Sequence, residues 1–161
     1  MECIAALSRE FEGTDMVIGA GTVIGREKAE AVLAAGARFL VCPHTDPEVI
    51  RAALEADALP LPGVMTPTDV AMALAAGAKI LKLFPAGALG VNYVKQLRGP
   101  FDRVPFLAVG GVDLTNAADY LAAGCVGLGI GSSLADNKVI AAGDYDEITR
   151  RTEAYLALTK A

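Results

Sequence analysis

Ala75-Ala76-Gly77-Ala78-Lys79-Ile80-Leu81-Lys82-Leu83-Phe84-Pro85 holds both halves of a unit that recurs along this chain. Ala-Ala-Gly closes a helical pattern, the glycine supplying a left-handed cap, and an apolar run opens directly after it as a strand. The same turn is written in Ala34-Ala35-Gly36-Ala37-Arg38-Phe39 and in Ala122-Ala123-Gly124-Cys125-Val126-Gly127. Gly36 and Gly77 enclose room for two units, and midway between them Glu55-Ala56-Asp57-Ala58-Leu59 makes the turn without glycine. Gly77 and Gly124 again leave room for two. A short link from a capped helix into an apolar strand is the αβ loop of a parallel sheet.

The pattern predicts strands over residues 16–20, 38–42, 59–64, 79–84, 106–109 and 126–130. Helices are predicted between them, over 26–35, 47–56, 67–76, 91–98 and 116–123, with a last one over 145–158. Asp46 before Pro47 and Thr66 before Pro67 are capping residues followed by proline at the first helical position. Near-continuous apolar strands alternating with helices mean a parallel sheet covered by helices, either a (β/α)8 barrel or a doubly wound layer. The last two strand ends, Ala108-Val109-Gly110-Gly111-Val112 and Leu128-Gly129-Ile130-Gly131-Ser132-Ser133, point to the barrel. Barrels often rest a phosphate on the loops after their final strands, held by main-chain N–H groups. Gly127-x-Gly129-x-Gly131 lacks the spacing of a dinucleotide fingerprint.

Composition narrows the function classes. At 161 residues and 53% hydrophobic, with mean hydropathy +0.43, the chain fits one domain with a large core. No apolar run approaches the roughly 18 residues of a membrane span, and Met1-Glu2-Cys3 opens no signal or transit peptide, so a cytoplasmic protein is expected. A net charge of −5, no tryptophan and no Lys/Arg cluster argue against a nucleic-acid surface. Cys3, Cys42 and Cys125 have no C-x-x-C spacing, and reduced cysteines are expected, the latter two packed in strand-like segments. His44 is the single histidine, which excludes a zinc site built from several, and it is expected in a loop beside a strand end.

Lys82 is the leading catalytic residue. With a side-chain period of two, Ile80, Lys82 and Phe84 share one strand face, while Lys79, Leu81 and Leu83 share the other. Burial disfavours an ammonium, and a neutral amine is the form that attacks a ketone to give a Schiff base. A lysine snorkelling from the strand end into water is the alternative at this point.

Gly19-Ala20-Gly21-Thr22-Val23, Pro62-Gly63-Val64-Met65-Thr66-Pro67-Thr68, Ile80-Leu81-Lys82-Leu83-Phe84-Pro85 and Gly110-Gly111-Val112, in this order, resemble the 2-keto-3-deoxy-6-phosphogluconate (KDPG/KHG) aldolases. The resemblance covers essentially the whole chain. It implies a metal-free, cofactor-free class I aldolase, usually trimeric, with Lys82 forming the Schiff base. Cleavage of 2-keto-3-deoxy-6-phosphogluconate or a close relative would give pyruvate and glyceraldehyde 3-phosphate; 4-hydroxy-2-oxoglutarate would give pyruvate and glyoxylate. It further implies that Thr22, Pro43, Thr66 and Phe84 line the pyruvyl pocket and that Gly110, Gly111, Gly131 and Ser132 hold phosphate. Many relatives carry threonine before the double glycine and this chain has Val109; the lost hydroxyl weakens the case for one phosphorylated substrate over its C4 epimer, and some relatives acting on the galactonate-derived epimer look similar there.

Against the family's eight-stranded barrel, about six of eight β/α units are expected, in a single aldolase barrel domain over 1–161 that lacks the N-terminal strand-helix-strand. That segment carries the family's catalytic glutamate and a substrate-binding arginine. An ungapped register places Glu2 within a helix rather than at the glutamate's position. Two rivals stay open: a phosphate-binding barrel transferase or isomerase in which Lys82 is an electrostatic group, and an inactive binding or assembly module.

Overall fold

The computed structural model describes residues 1–159, and its contacts divide the chain after Lys82 into two compact units. In the first unit, α1 (Glu2–Glu10) leads to β1 (Ala20–Gly21), α2 (Arg26–Ala34), β2 (Phe39–Val41), α3 (Pro47–Glu55), β3 (Leu59–Leu61), β4 (Gly63–Val64) and α4 (Pro67–Ala75). β5 (Leu81–Leu83) crosses the division. The second unit contains α5 (Ala86–Leu89), α6 (Val91–Arg98), β6 (Phe106–Val109), α7 (Ala117–Ala122), β7 (Gly127–Gly129), α8 (Asn137–Ala141) and α9 (Tyr145–Thr159).

The repeat is a hydrogen-bonded motif. At the ends of α2, α3, α4 and α7, the residue with positive φ donates its N–H to the carbonyl three positions back: Gly36 to Leu33, Asp57 to Leu54, Gly77 to Leu74 and Gly124 to Leu121. The next residue reaches five back, Ala37 to Val32, Ala58 to Ala53, Ala78 to Ala73 and Cys125 to Tyr120. This double closure satisfies helix carbonyls and turns the chain straight into the following strand. Asp57 adopts φ 53 in place of glycine, a conformation aspartate tolerates better than most side chains.

The helix starts follow their caps. The Asp46 carboxylate accepts the Glu48 N–H at 2.9 Å before α3. At α4 the Thr66 hydroxyl accepts the Asp69 N–H while the Asp69 carboxylate accepts the Thr66 N–H at 2.7 Å, a reciprocal capping box.

Strands β1, β2 and β3 pair in parallel in that order, Ala20 opposite Leu40 and Leu40 opposite Pro60. Ala20, Val32, Leu40, Val49 and Ala53 are buried together beneath the helices, and a fully buried Leu40 side chain is worth roughly 1.5–3 kcal/mol. In the second unit β6 and β7 pair in parallel, Leu107 opposite Gly127.

Two strand predictions change. Residues 16–19 lie outside β1, because β2 begins at Phe39 and its N-terminal side offers only the Arg38 N–H to the Ile18 carbonyl, leaving Met16 and Val17 exposed. The 59–64 strand breaks at Pro62, where the chain passes from pairing with β2, through β3, to pairing with β5, through β4; the Pro62 carbonyl accepts the Lys82 N–H at 2.9 Å. Two short helices, α5 and α8, were not predicted. Glu2 is exposed at the first position of α1, in agreement with the ungapped register.

Candidate active site

Lys82 lies at the centre of β5 between the buried Leu81 and Leu83. Only 7% of its surface is exposed, and it is the one buried charged side chain among the described residues. Lys79, just before β5, is exposed. Burial lowers the Lys82 pKa below its ordinary 10.5, opposed by the nearby Cys42 sulfur. The Cys42 thiol is itself pushed up to about 11, chiefly by burial, so at neutral pH it contributes no thiolate charge that would hold the lysine protonated.

The strand ends around this lysine are tightly built. A Cβ at Gly63 would lie 2.5 Å from the Pro43 carbonyl, so only glycine allows the approach. The contact is stitched by the Gly63 N–H donating to the His44 carbonyl at 3.2 Å and the Thr45 hydroxyl donating to the Gly63 carbonyl at 3.0 Å. This holds Pro43, half-buried, just past the carboxyl end of β2. Thr22, exposed after β1, has φ 56, an unfavourable conformation for a β-branched residue, and Lys28 donates its ammonium to the Thr22 carbonyl at 2.9 Å. Thr66 follows β4 as the cap of α4. Partial burial pushes the Asp69 carboxyl up, but the N–H groups of Thr66 and Met65 and the Thr66 hydroxyl outweigh it and hold the group below the ordinary range.

In the second unit, Gly110 and Gly111 are consecutive residues with φ of 85 and 71 directly after β6. A Cβ at Gly110 would sit 2.8 Å from the Phe84 ring, and one at Gly87 would sit 2.6 Å from the Gly111 carbonyl oxygen. Gly87 donates to the Gly110 carbonyl at 2.7 Å, and the Asn116 amide donates to the Gly111 carbonyl at 3.0 Å. Gly131 and the exposed Ser132 follow β7, and a Cβ at Gly131 would meet nothing within 4 Å. Among the described residues, the N–H groups of Gly110, Gly111, Gly131 and Ser132 donate to no protein acceptor. Because β6 and β7 are parallel, both turns leave the same edge of the pair, as an anion cradle requires.

Thus Thr22, Pro43, Thr66 and Lys82 belong to strand ends of the first unit, and Phe84, Gly110, Gly111, Gly131 and Ser132 to the second. A cleft of about 850 Å³ in the first unit, between α1 and the segment around Met16, is lined by none of them. The sequence reading missed the Cys42–Lys82 proximity and the side chains behind the glycine turns: Asn116, Ser133 and Tyr155. Neither is a local pattern. No cluster of three or more His, Cys, Asp or Glu suited to a metal occurs among the described residues. Nor does a helix among them have the length and apolarity to cross a membrane.

Parallel strands alternating with helices, capped by one repeated motif and ending in glycine turns, define an α/β fold of the TIM-barrel type, shared by the KDPG aldolase of Legionella pneumophila. That structure, with pyruvate captured at low pH as a covalent carbinolamine intermediate, matches with a TM-score of 0.85 at 31% identity, covering 96% of this chain and 74% of that one. Residues 1–151 match the family described as KDPG and KHG aldolase, and the chain belongs to that family. It is 43% identical over 124 residues to the 2-dehydro-3-deoxy-6-phosphogalactonate aldolase of Escherichia coli (strain K12), covering 76% of this chain and 60% of that protein. It is 35% identical over 158 residues to the 2-dehydro-3-deoxy-phosphogluconate aldolase of Treponema pallidum (strain Nichols), covering 98% of this chain and 74% of that one. The chain thus spans 60% of the length of the first relative.

Proposed function

We propose that this chain carries the Schiff-base machinery of a class I aldolase acting on a 2-keto-3-deoxy-6-phospho sugar acid. The observation that carries this reading is the burial of Lys82 within β5, which lowers its pKa and favours the neutral amine. The Lys82 Nζ lone pair attacks the C2 ketone to give a carbinolamine, and loss of water leaves an iminium. The C4 hydroxyl gives its proton to water and the C3–C4 bond breaks, its electron pair moving into the iminium to form an enamine while the aldehyde departs. Protonation at C3 and hydrolysis release pyruvate and restore the amine. Thr22, Pro43, Thr66 and Phe84 surround the pyruvyl part, and the N–H groups of Gly110, Gly111, Gly131 and Ser132 receive the phosphoryl group.

The galactonate-derived epimer is the favoured substrate. Identity is 43% to the phosphogalactonate aldolase of Escherichia coli against 35% to the phosphogluconate aldolase of Treponema pallidum. Before the double glycine, Val109 offers no hydroxyl; its methyl lies 2.6 Å from where a Cβ at Gly129 would stand. Slower cleavage of 4-hydroxy-2-oxoglutarate and association into a homotrimer complete the proposal. A lactate-dehydrogenase-coupled assay with both epimers tests it, light scattering reporting the assembly. The phosphogalactonate epimer should be cleaved faster, and Lys82→Ala should be inactive on both. Equal turnover by Lys82→Ala would remove the Schiff base, and preference for the gluconate epimer would reverse the substrate assignment.

A further inference from the structure

A chain of hydroxyls joins the two glycine turns of the second unit. The Tyr155 hydroxyl on α9 donates to Ser133 Oγ at 3.2 Å, and the Ser133 hydroxyl donates to the Val112 carbonyl at 3.1 Å. Arg151, one helical turn before Tyr155, donates through Nη1 to the Ser133 carbonyl at 3.2 Å and through Nε to Glu147 at 2.7 Å. Ser133 follows Ser132 directly, and Val112 follows Gly111. The connection therefore runs from the 110–112 turn to the 131–133 turn through one side chain, held from behind by two residues of α9.

We propose that Tyr155 and Arg151 are positioning residues for phosphoryl binding, setting through Ser133 the separation of the two glycine turns so that their N–H groups converge on one phosphomonoester. This rests on the phosphate role given to Gly110, Gly111, Gly131 and Ser132 above. Main-chain donors bind an anion well only when already aimed at its oxygens, and two turns that follow different strands share no covalent constraint that would aim them together. Tyr155 is 7% exposed, so its ring packs the helix whether or not its hydroxyl is present. The hydroxyl is the part that reaches the turns. The positioning role therefore belongs to an atom that can be removed without emptying the core.

The test is a titration of the 161-residue chain with inorganic phosphate, following the amide resonances of Gly110, Gly111, Gly131 and Ser132, in wild type, Tyr155→Phe, Ser133→Ala and Ser133→Thr. Wild type should show saturable shifts at all four amides. Tyr155→Phe and Ser133→Ala should weaken phosphate about 2- to 10-fold, the worth of one or two hydrogen bonds, while Ser133→Thr, which keeps a hydroxyl, stays near wild type. Borohydride trapping of pyruvate on Lys82 should be unchanged in all three, since pyruvate carries no phosphoryl group. Wild-type phosphate affinity in Tyr155→Phe and Ser133→Ala overturns the positioning role alone, as does parallel loss of phosphate binding and pyruvate trapping. Absence of shifts at the four amides of wild type overturns the phosphate site and this inference with it. If Tyr155→Phe does not fold, the contrast between Ser133→Ala and Ser133→Thr decides.

Discussion

The backbone of Gly110 lies against the ring of Phe84, so near that a Cβ at position 110 would stand 2.8 Å from Phe84 Cε2 and 2.9 Å from Cδ2. Phe84 is two residues from Lys82. A side chain at 110 would displace the ring and also force an L-residue to φ 85. Gly110→Ala should therefore lose about 1–3 kcal/mol of stability and disturb pyruvate trapping as well as phosphate binding. Gly131 has open space around its Cβ direction and no positive φ, so Gly131→Ala should leave the melting temperature unchanged and affect only phosphorylated ligands. Calorimetry alongside ligand titration separates the two, and equal effects at both positions would contradict this account of the turns.

Thr22 should show a trade between stability and function. Its φ of 56 is costly for a β-branched residue, and glycine relieves that cost. Thr22→Gly should raise the unfolding free energy by up to about 1 kcal/mol while weakening pyruvate capture. Chemical denaturation paired with trapping yield checks both, and a variant that gains stability without losing capture would remove Thr22 from the pocket.

The Thr66–Asp69 capping box makes a pH-dependent contribution. With its pKa held below 3.8, the Asp69 carboxylate stabilises the fold fully above the unfolded value, and this contribution is lost as pH falls through the folded value. Asp69→Ala should cost about 1 kcal/mol at pH 7 and less at pH 2. Denaturant midpoints at the two pH values test it, an equal loss at both being the contrary result.

Lys82 carries the same sign at the alkaline end of the scale. Its folded pKa lies below the ordinary 10.5, so between the two values the unfolded chain binds more protons and stability rises with pH through that window. Adduct formation with pyruvate should climb across the folded pKa and level off before pH 10.5. A profile with its midpoint at or above 10.5 would mean that the ammonium is not destabilised by its surroundings.

Much of this was legible from local pattern. The Ala-Ala-Gly turns, the non-glycine turn at Asp57, the caps at Asp46 and Thr66 and the strand over 106–109 depend on residues a few positions apart, and each formed as expected. The burial of Lys82 followed from its place in an apolar run, every residue of β5 being buried. The break at Pro62 was missed because the apolar pattern runs through it, while the change of partner from β2 to β5 is set by topology. Cys42, just after β2, acts electrostatically on Lys82 in β5, and Tyr155 on Ser133 joins α9 to the turn after β7. Such contacts depend on topology, which hydrophobic periodicity does not encode.

The central claim is that Lys82 is the Schiff-base nucleophile, and borohydride reduction in the presence of pyruvate, followed by peptide mass mapping, tests it most directly. The account predicts one irreversible adduct, on the peptide containing Lys82, absent in Lys82→Ala and retained in Lys79→Ala. An adduct that persists in Lys82→Ala, or none in the wild-type chain under conditions where it is folded, would contradict it.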